Sequence, residues 1–131
     1  MRLLFVALLL AGCASKELGD VQIKKMIIDY FTPYTSTTIA KPLDVNVLAK
    51  KKLSSDKIVA KVCYSFKFLT SYDRLVAKIK KDPNSFLARF DIGLVALYGR
   101  KFGNFHEGEV KTRCDTVEFE RRYGKWMIKR I

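Results

Sequence analysis

Residues 57–69 read KIVAKVCYSFKFL and carry the clearest strand pattern in the chain. Every second residue is apolar, and the apolar set is Ile58, Ala60, Val62, Tyr64, Phe66 and Phe68. The residues between them include Lys61, Cys63, Ser65 and Lys67. Because successive side chains of a β-strand point to opposite faces, the alternation predicts a strand with one face in the core. Cys63 then lies on the other face.

A second strand is predicted just before this one. Its alternating residues are Leu43, Asp44, Val45, Asn46 and Val47. The pattern runs to about Lys52, and residues 54–56, Ser-Ser-Asp, supply a turn into the strand that follows. Residues 35–42 are predicted to be a loop.

The last part of the chain, residues 109–131, predicts a β-hairpin. Its turn is Arg122-Tyr123-Gly124-Lys125, either as a two-residue turn at Tyr123-Gly124 or as a four-residue loop. Both turns give one register, which pairs Arg121 with Trp126, Phe119 with Ile128, and Glu118 with Lys129. Val117, Phe119, Trp126 and Ile128 then face the core. Lys111 and Arg113 fall on the same side, which requires a bulge or an open end of the sheet.

An amphipathic helix is predicted before the strands, from Asp20 as N-cap to about Thr32. Pro33 ends it, because proline disfavours helical backbone in the preceding residue. Its apolar stripe is Ile23, Met26, Ile27, Tyr30 and Phe31. We interpret this stripe as a core face rather than as a membrane-binding face.

One or two further helices are predicted in the middle of the chain. Thr70 or Ser71 caps the first, which carries Leu75, Val76 and Ile79. Asp82 caps the second, with Pro83 at its first position. The apolar residues of the second helix are Phe86, Leu87, Phe90, Leu94 and Leu97. Residues 92–98 fit either a helix or a buried strand, and residues 100–108 are predicted to be a loop.

The N-terminus has the parts of a secretory signal peptide. Arg2 precedes an apolar run from Leu3 to Leu10, and Leu10-Ala11-Gly12-Cys13 follows. The run is far shorter than the roughly 20 apolar residues that span a bilayer. The segment resembles the lipobox of bacterial lipoproteins. An ordinary signal peptide with a cysteine near its cleavage site is the alternative.

The lipobox resemblance implies a division of the chain. Residues 1–12 would be a cleaved signal peptide, 13–19 a lipidated tether and 20–131 a single domain. Cys13 would carry diacylglycerol and an N-acyl chain such as palmitate, and several acyl chains hold a protein stably on a membrane. Ala14, in place of an aspartate after the cysteine, favours the outer membrane by analogy with the family. The domain would face the periplasm.

Cys63 and Cys114 remain once Cys13 carries lipid. An even pair in the oxidising periplasm predicts a disulfide. Both residues fall off the core faces of their strands, which places the two strands side by side in one sheet. Two free thiols or a metal site are the alternatives. No metal site is expected, since His106 is the only histidine and no CxxC spacing occurs.

The chain is strongly basic, with a formal net charge of +12. Such a charge favours anionic partners. With a signal peptide, we expect an envelope protein or another anionic envelope component, and no nucleic acid. The candidate partner-binding basic surface consists of Lys50, Lys51, Lys52, Arg121 and Arg122.

No catalytic constellation is present in the sequence. It lacks a Gly-rich phosphate loop, HExxH and GxSxG. His106, near Glu107 and Glu109, could act as a general base, but we interpret it as a loop residue. We therefore predict a protein that is not an enzyme and needs no cofactor. If the fold encloses a pocket, its expected lining is Tyr30, Tyr64, Phe66, Phe90 and Trp126, but we interpret these residues as ordinary core that needs no ligand.

The predicted element order describes an α+β fold. A helix, strands and a terminal hairpin with Tyr123-Gly124-Lys125-Trp126-Met127-Ile128 resemble the cystatin-like and nuclear-transport-factor-two-like folds, which implies a curved antiparallel sheet around the N-terminal helix. Our leading hypothesis is a lipid-anchored binding or accessory protein of the envelope. A pocket protein for a small molecule or lipid is the alternative, and an enzyme using His106 is a third hypothesis.

Overall fold

A four-stranded antiparallel sheet and four helices make up the part of the chain that the computed structural model describes, residues 17–33 and 39–131. The elements are α1 (Asp20–Phe31), β1 (Ala40–Ser54), β2 (Lys57–Phe68), α2 (Tyr72–Lys81), α3 (Phe86–Phe90), α4 (Ile92–Phe102), β3 (Val110–Arg122) and β4 (Lys125–Arg130). The predicted α+β class is confirmed. The predicted signal peptide, Cys13 and the first part of the tether lie outside the described residues.

The strands follow one another across the sheet in the order β1-β2-β3-β4, and all neighbours are antiparallel. β2 is an inner strand, and its predicted apolar face is buried along its whole length. The pairing of β2 with β3 runs without a break from Lys57 opposite Glu120 to Lys67 opposite Val110. This continuous register fixes which side chains of the two strands share a face.

An aromatic core lies between the sheet and the helices α1 and α4. The Phe31 ring of α1 lies 4.9 Å from the Tyr64 ring and 5.3 Å from the Phe66 ring, measured between centroids. Tyr98 and Phe102 of α4 complete the cluster. The Tyr98 hydroxyl donates a hydrogen bond of 2.5 Å to the Phe31 carbonyl, which ties α4 to the end of α1.

The first helix buries a narrower stripe than the sequence predicts. Ile23, Ile27 and Phe31 are fully buried, whereas Tyr30 faces outward. The N-cap is Gly19 rather than Asp20. Asp20 lies in the first helical turn, where its carboxylate is 2.8 Å from the Lys50 ammonium group and close to the positive end of the helix dipole.

The edge strand β1 starts earlier and is less regular than predicted. It begins at Ala40, inside the predicted loop, and the register shifts between Pro42 and Asp44 and again between Val47 and Ala49. Each bulge inserts a residue and resets which side chains face inward. As a result Val45 is buried while Leu43 is exposed, against the simple alternation. Proline and bulges are typical of edge strands.

The middle segment contains three helices. Ser71 caps α2, its hydroxyl accepting a hydrogen bond of 3.2 Å from the Arg74 amide. The predicted cap at Asp82 is wrong, because Asp82 instead accepts a hydrogen bond of 3.2 Å from the Asn84 amide in a turn, and Ser85 caps α3. Residues 92–98, for which helix and strand were both open, are helical.

The last helix also extends through part of the predicted loop. α4 continues to Phe102, although residues 100–108 were expected to be irregular. Val95, Tyr98 and Phe102 recur at helical spacing and are all buried. Their packing against the sheet explains the continuation of the helix past the predicted boundary at Gly99.

The C-terminal hairpin closes with the two-residue turn. Tyr123 and Gly124 both have positive φ, 52° and 77°, as a type I′ turn requires. The predicted pairs of Arg121 with Trp126 and of Phe119 with Ile128 are present. The third predicted pair is wrong, because the register shifts after Phe119 and Glu118 lies opposite Arg130 rather than Lys129. The shift is a bulge at the end of the short edge strand.

Candidate functional site: a basic cleft beside Trp126

Cys63 and Cys114 lie directly opposite each other in the β2–β3 register. Their sulfur atoms are 1.94 Å apart, which makes them a disulfide, and the pair lies on the sheet face turned away from the aromatic core. The bond joins two central strands at the middle of their pairing. Its position suits a structural cross-link between residues far apart in sequence.

Lys111 and Arg113 point inward without any bulge between β2 and β3. The Lys111 ammonium group donates to the Phe102 carbonyl at 3.0 Å, and Arg113 Nη1 donates to the Lys101 carbonyl at 3.1 Å. These carbonyls belong to the last turn of α4, where cations are favoured by the helix dipole. The helix end therefore accommodates the inward charges that the sequence pattern left unexplained.

Asp115 is the centre of this polar cluster and was missed in the sequence. Its carboxylate accepts hydrogen bonds from the Tyr64 hydroxyl, from Arg113 Nε at 3.0 Å and from Lys101 Nζ at 3.3 Å. Burial would raise the pKa of the Asp115 carboxyl, but these three hydrogen bonds outweigh it and hold the pKa below its ordinary value. One signal was available, since Asp115 has the same strand parity as Lys111 and Arg113.

Replacing Asp115 by asparagine is expected to lower the free energy of unfolding at neutral pH by about 1–3 kcal/mol, because buried donors lose an ionised acceptor. A carboxyl whose pKa is lowered by folding stabilises the fold above its unfolded pKa and loses that effect as pH falls through the folded value. The difference between wild type and Asp115→Asn should therefore be constant near pH 7 and shrink below about pH 4. Urea unfolding across this pH range measures it.

Asp29→Asn is the matched control for Asp115→Asn. Asp29 pairs with Lys25 at 2.6 Å on the exposed face of α1, where both side chains are largely in solvent. Exposed pairs contribute little, so the change in unfolding free energy should stay within about 0.5 kcal/mol. Equal effects of the two substitutions would contradict a central role for Asp115.

A cleft of about 430 Å³ lies between the start of α1 and the ends of all four strands. Its lining residues come from the chain just before α1, from β1 and the turn after it, from β2 and from the hairpin. They are Glu17, Leu18, Lys50, Lys52, Ser55, Ile58, Arg121 and Trp126. Apolar side chains form part of the wall, and the charged residues around it are three cations and the single carboxylate of Glu17.

Arg121 is held in place beside the Trp126 ring. Its guanidinium carbon lies 5.4 Å from the ring centroid, which is within cation–π range. Arg121 Nε is 3.0 Å from Asp56 Oδ1, and Nη2 donates to the Ser55 carbonyl at 3.0 Å. These contacts fix the guanidinium plane at the cleft and join the hairpin to the β1–β2 turn.

The two cleft lysines differ in their partners. Lys50 Nζ lies 2.8 Å from Asp20 Oδ1 and donates to the Leu18 carbonyl at 3.3 Å. Lys52 is exposed and has no ion pair with any residue in 17–33 or 39–131. An anion in the cleft could pair with Lys52 directly but would have to compete with Asp20 for Lys50.

The predicted five-residue basic surface is divided between two faces. Lys50 and Lys52 share the cleft with Arg121, but Lys51 lies opposite Val59 on the other side of β1. Arg122 is exposed and pairs with Glu120 at 3.2 Å. The reason is the period of two in a strand, which sends neighbouring side chains to opposite faces.

The predicted pocket lining is also corrected by the structure. Tyr64 and Phe66 are packed in the solid aromatic core. Tyr30 is 39% exposed and Phe90 is 66% exposed, on surfaces away from that core. Of the five residues only Trp126 lines the cleft. Helical periodicity predicted that Tyr30 and Phe90 are buried, but their helices pack with these two side chains exposed.

His106 lies in the loop between α4 and β3. Its side chain is 70% exposed, and Nδ1 is 3.8 Å from Glu109 Oε1. Glu107 instead faces Arg74, at 3.7 Å. Within the described ranges, no group of three or more His, Cys, Asp or Glu side chains is arranged to hold a metal ion. None of the helices in those ranges is both long and apolar enough to cross a membrane.

The chain matches no protein-family model, no curated protein and no solved structure. The cleft brings cations and apolar side chains together, and it includes three of the five predicted basic residues.

Proposed function

We propose that the protein is a lipid-anchored, non-catalytic binding or accessory protein of the bacterial outer membrane, and that the cleft beside Trp126 binds an anionic envelope partner. The observation that carries this proposal is the convergence of Lys50, Lys52 and Arg121 on one cleft. An envelope protein with an acidic segment is the partner that such a cleft fits. The periplasmic location follows from the lipobox resemblance.

The position of the cleft fits a membrane-proximal role. Glu17 lines the cleft and is four residues from Cys13. A fully extended chain covers at most about 3.6 Å per residue, so a lipid on Cys13 would hold the cleft within about 14 Å of the bilayer surface. Partners anchored in the same membrane would meet the cleft at a high effective concentration.

The chemistry of the lining indicates what the partner presents. Leu18, Ile58 and the Trp126 ring offer apolar contact, while Lys52 offers a charge that no described acid neutralises. A partner segment with an apolar residue next to a carboxylate satisfies both parts. Tryptophan and arginine at such a position are residues that often dominate binding energy.

A small-molecule or lipid-binding function is the second candidate. The cleft volume of about 430 Å³ lies within the range of ligand pockets, roughly 300–1,000 Å³. This proposal is compatible with the resemblance to cystatin-like and nuclear-transport-factor-two-like folds, but it places the pocket at a different position. The ligand would lie at the sheet end beside Trp126 rather than against Tyr64 and Phe66.

Reversing the charge of Lys52 tests the proposed function. With Lys52→Glu we expect in-cell crosslinking of the tagged protein to its partner to fall at least about tenfold, because a repelling charge now faces the anion. Lys51→Glu is the matched control, since it makes the same change one residue away on the opposite face. Its crosslinking should stay within about twofold of wild type. Mass spectrometry of the crosslinked species measures both.

The results distinguish the two candidate functions and test the lipid anchor separately. Equal crosslinking by Lys52→Glu and wild type would contradict the cleft as the binding site. Loss of a bound small molecule, with no protein crosslinked in wild type, would favour the pocket protein. The intact mass of the purified chain shows independently whether Cys13 carries acyl groups, so the proposal of a lipid anchor can be contradicted while the proposal of a binding cleft stands.

A further inference from the structure

Helix α3 carries an exposed aromatic pair that the core does not use. None of its five residues is buried, and the Phe86 and Phe90 rings pack against each other with centroids 4.8 Å apart. Phe86 is 56% exposed. Ile92, just beyond the helix, is also exposed. Three large apolar side chains within seven residues are therefore turned to solvent, which marks an interaction surface.

One cation contacts this aromatic pair, and two more lie on the neighbouring helix. The Arg89 guanidinium carbon lies 5.9 Å from the Phe90 ring centroid. Lys78 and Lys81, in the last turn of α2, line a groove that continues to Leu87 of α3. The three cations Lys78, Lys81 and Arg89 outnumber the two nearby carboxylates, Asp82 in the groove and the buried Asp91.

We propose that this α3 patch, which consists of Phe86, Phe90 and Ile92 with Lys78, Lys81 and Arg89, docks the domain on anionic lipid headgroups. Aromatic rings and aliphatic tips enter the interfacial region of a bilayer, while Lys and Arg meet the lipid phosphates. Cations beside exposed apolar side chains are complementary to an anionic bilayer surface, and this charge complementarity favours the bilayer over a protein groove.

The inference rests on the proposed function in one respect, the lipid on Cys13. A tethered domain meets the bilayer at a high effective concentration, so a patch too weak to bind from solution can dock. Ile58, which lines the cleft, lies near the start of β2, whereas α2 follows Phe68 at the end of that strand. The tether and the α3 patch then hold the domain at two separate points. Two contacts restrict its orientation on the membrane.

A tryptophan at position 90 tests the docking. Phe90→Trp is made in a Trp126→Phe background, so that the fluorescence comes from a single tryptophan. The protein with its native N-terminus is then reconstituted in phosphatidylglycerol vesicles that contain brominated acyl chains, which quench that fluorescence. Tyr123→Trp in the same background is the matched control, because Tyr123 is fully exposed at the hairpin turn. We expect position 90 to be quenched at least about threefold more than position 123, with blue-shifted emission.

Each other result overturns part of the proposal. Equal quenching at positions 90 and 123 would exclude membrane docking, and if position 90 instead crosslinks to a protein in cells, the patch is a protein interface. Undiminished quenching in pure phosphatidylcholine vesicles would exclude a role for the cations. Phe86→Trp repeats the test if Phe90→Trp does not fold. The intact mass of the same preparation reports the lipid on Cys13, so failure of the anchor and failure of the patch are separate results.

Discussion

Replacing Phe66 by alanine is expected to lower the free energy of unfolding by about 3–5 kcal/mol, the cost of removing a large buried side chain and leaving a cavity. Phe66 is fully buried on β2. Its ring centroid lies 5.3 Å from that of Phe31 and 5.9 Å from that of Phe102. The substitution therefore weakens the contact of the sheet with α1 and with α4 together.

Phe90→Ala is the matched control, because it removes the same side chain from an exposed position. Its effect on the unfolding free energy should stay within about 0.5 kcal/mol. Urea titration with both variants gives the midpoint and the slope, and an unchanged slope shows that the difference is one of stability. Similar midpoints for the two variants would contradict the core position of Phe66.

Removing the disulfide is expected to have an effect of similar size. Cys63 and Cys114 are 51 positions apart, and the chain between them contains α2, α3 and α4. In the chain-entropy model, a cross-link closing a loop of this length stabilises the fold by about 4 kcal/mol, because it restricts the unfolded chain. The double substitution Cys63→Ser with Cys114→Ser should lower the unfolding free energy by about that amount.

Reduction gives an internal check on the double substitution. A thiol reductant should bring the wild-type protein to the unfolding midpoint of the double variant and should leave the double variant unchanged. If the reductant has no effect on wild type while intact mass shows two free thiols, the cysteines are unpaired in the cell. The bond lies on the exposed sheet face, so the substitutions leave the aromatic core intact.

The cleft and the disulfide belong to one arrangement. The aromatic core and the helices occupy one face of the sheet, and the disulfide joins the two inner strands on the other. The cleft lies at the end of the sheet where the N-terminal chain enters, between Leu18, Lys50 and Trp126. A partner in the cleft would contact both edges of the domain through side chains that the inner strands hold in register.

The sequence pattern predicted the basic surface only in part. A run of three lysines at 50–52 looks like one patch when read along the chain, but a strand sends Lys51 to the face opposite Lys50 and Lys52. Arg121 and Arg122 separate in the same way. A strand assignment applied to the charged residues as well as to the apolar ones would have found the three that share the cleft.

The five aromatic residues considered as a possible pocket lining are separated for a different reason. Tyr64, Phe66 and Trp126 all point to the inner face of the sheet, as predicted, but the space next to Tyr64 and Phe66 is filled by Phe31 and Phe102. Whether an inward aromatic lines a cavity or a solid core depends on what packs against it. That information comes from helices far away in the sequence.

Features that depend on neighbouring residues could be predicted from the sequence. The alternation in β2, a helix cap at Thr70 or Ser71 and a hairpin turn around Tyr123-Gly124 are local, because backbone geometry and adjacent side chains indicate them. Tertiary contacts produce the bulges of β1, the helical state of residues 92–98, the hydrogen bonds of Asp115 and the cleft beside Trp126. Each of these depends on contacts between residues distant in sequence, and burial against such partners outweighs local preference.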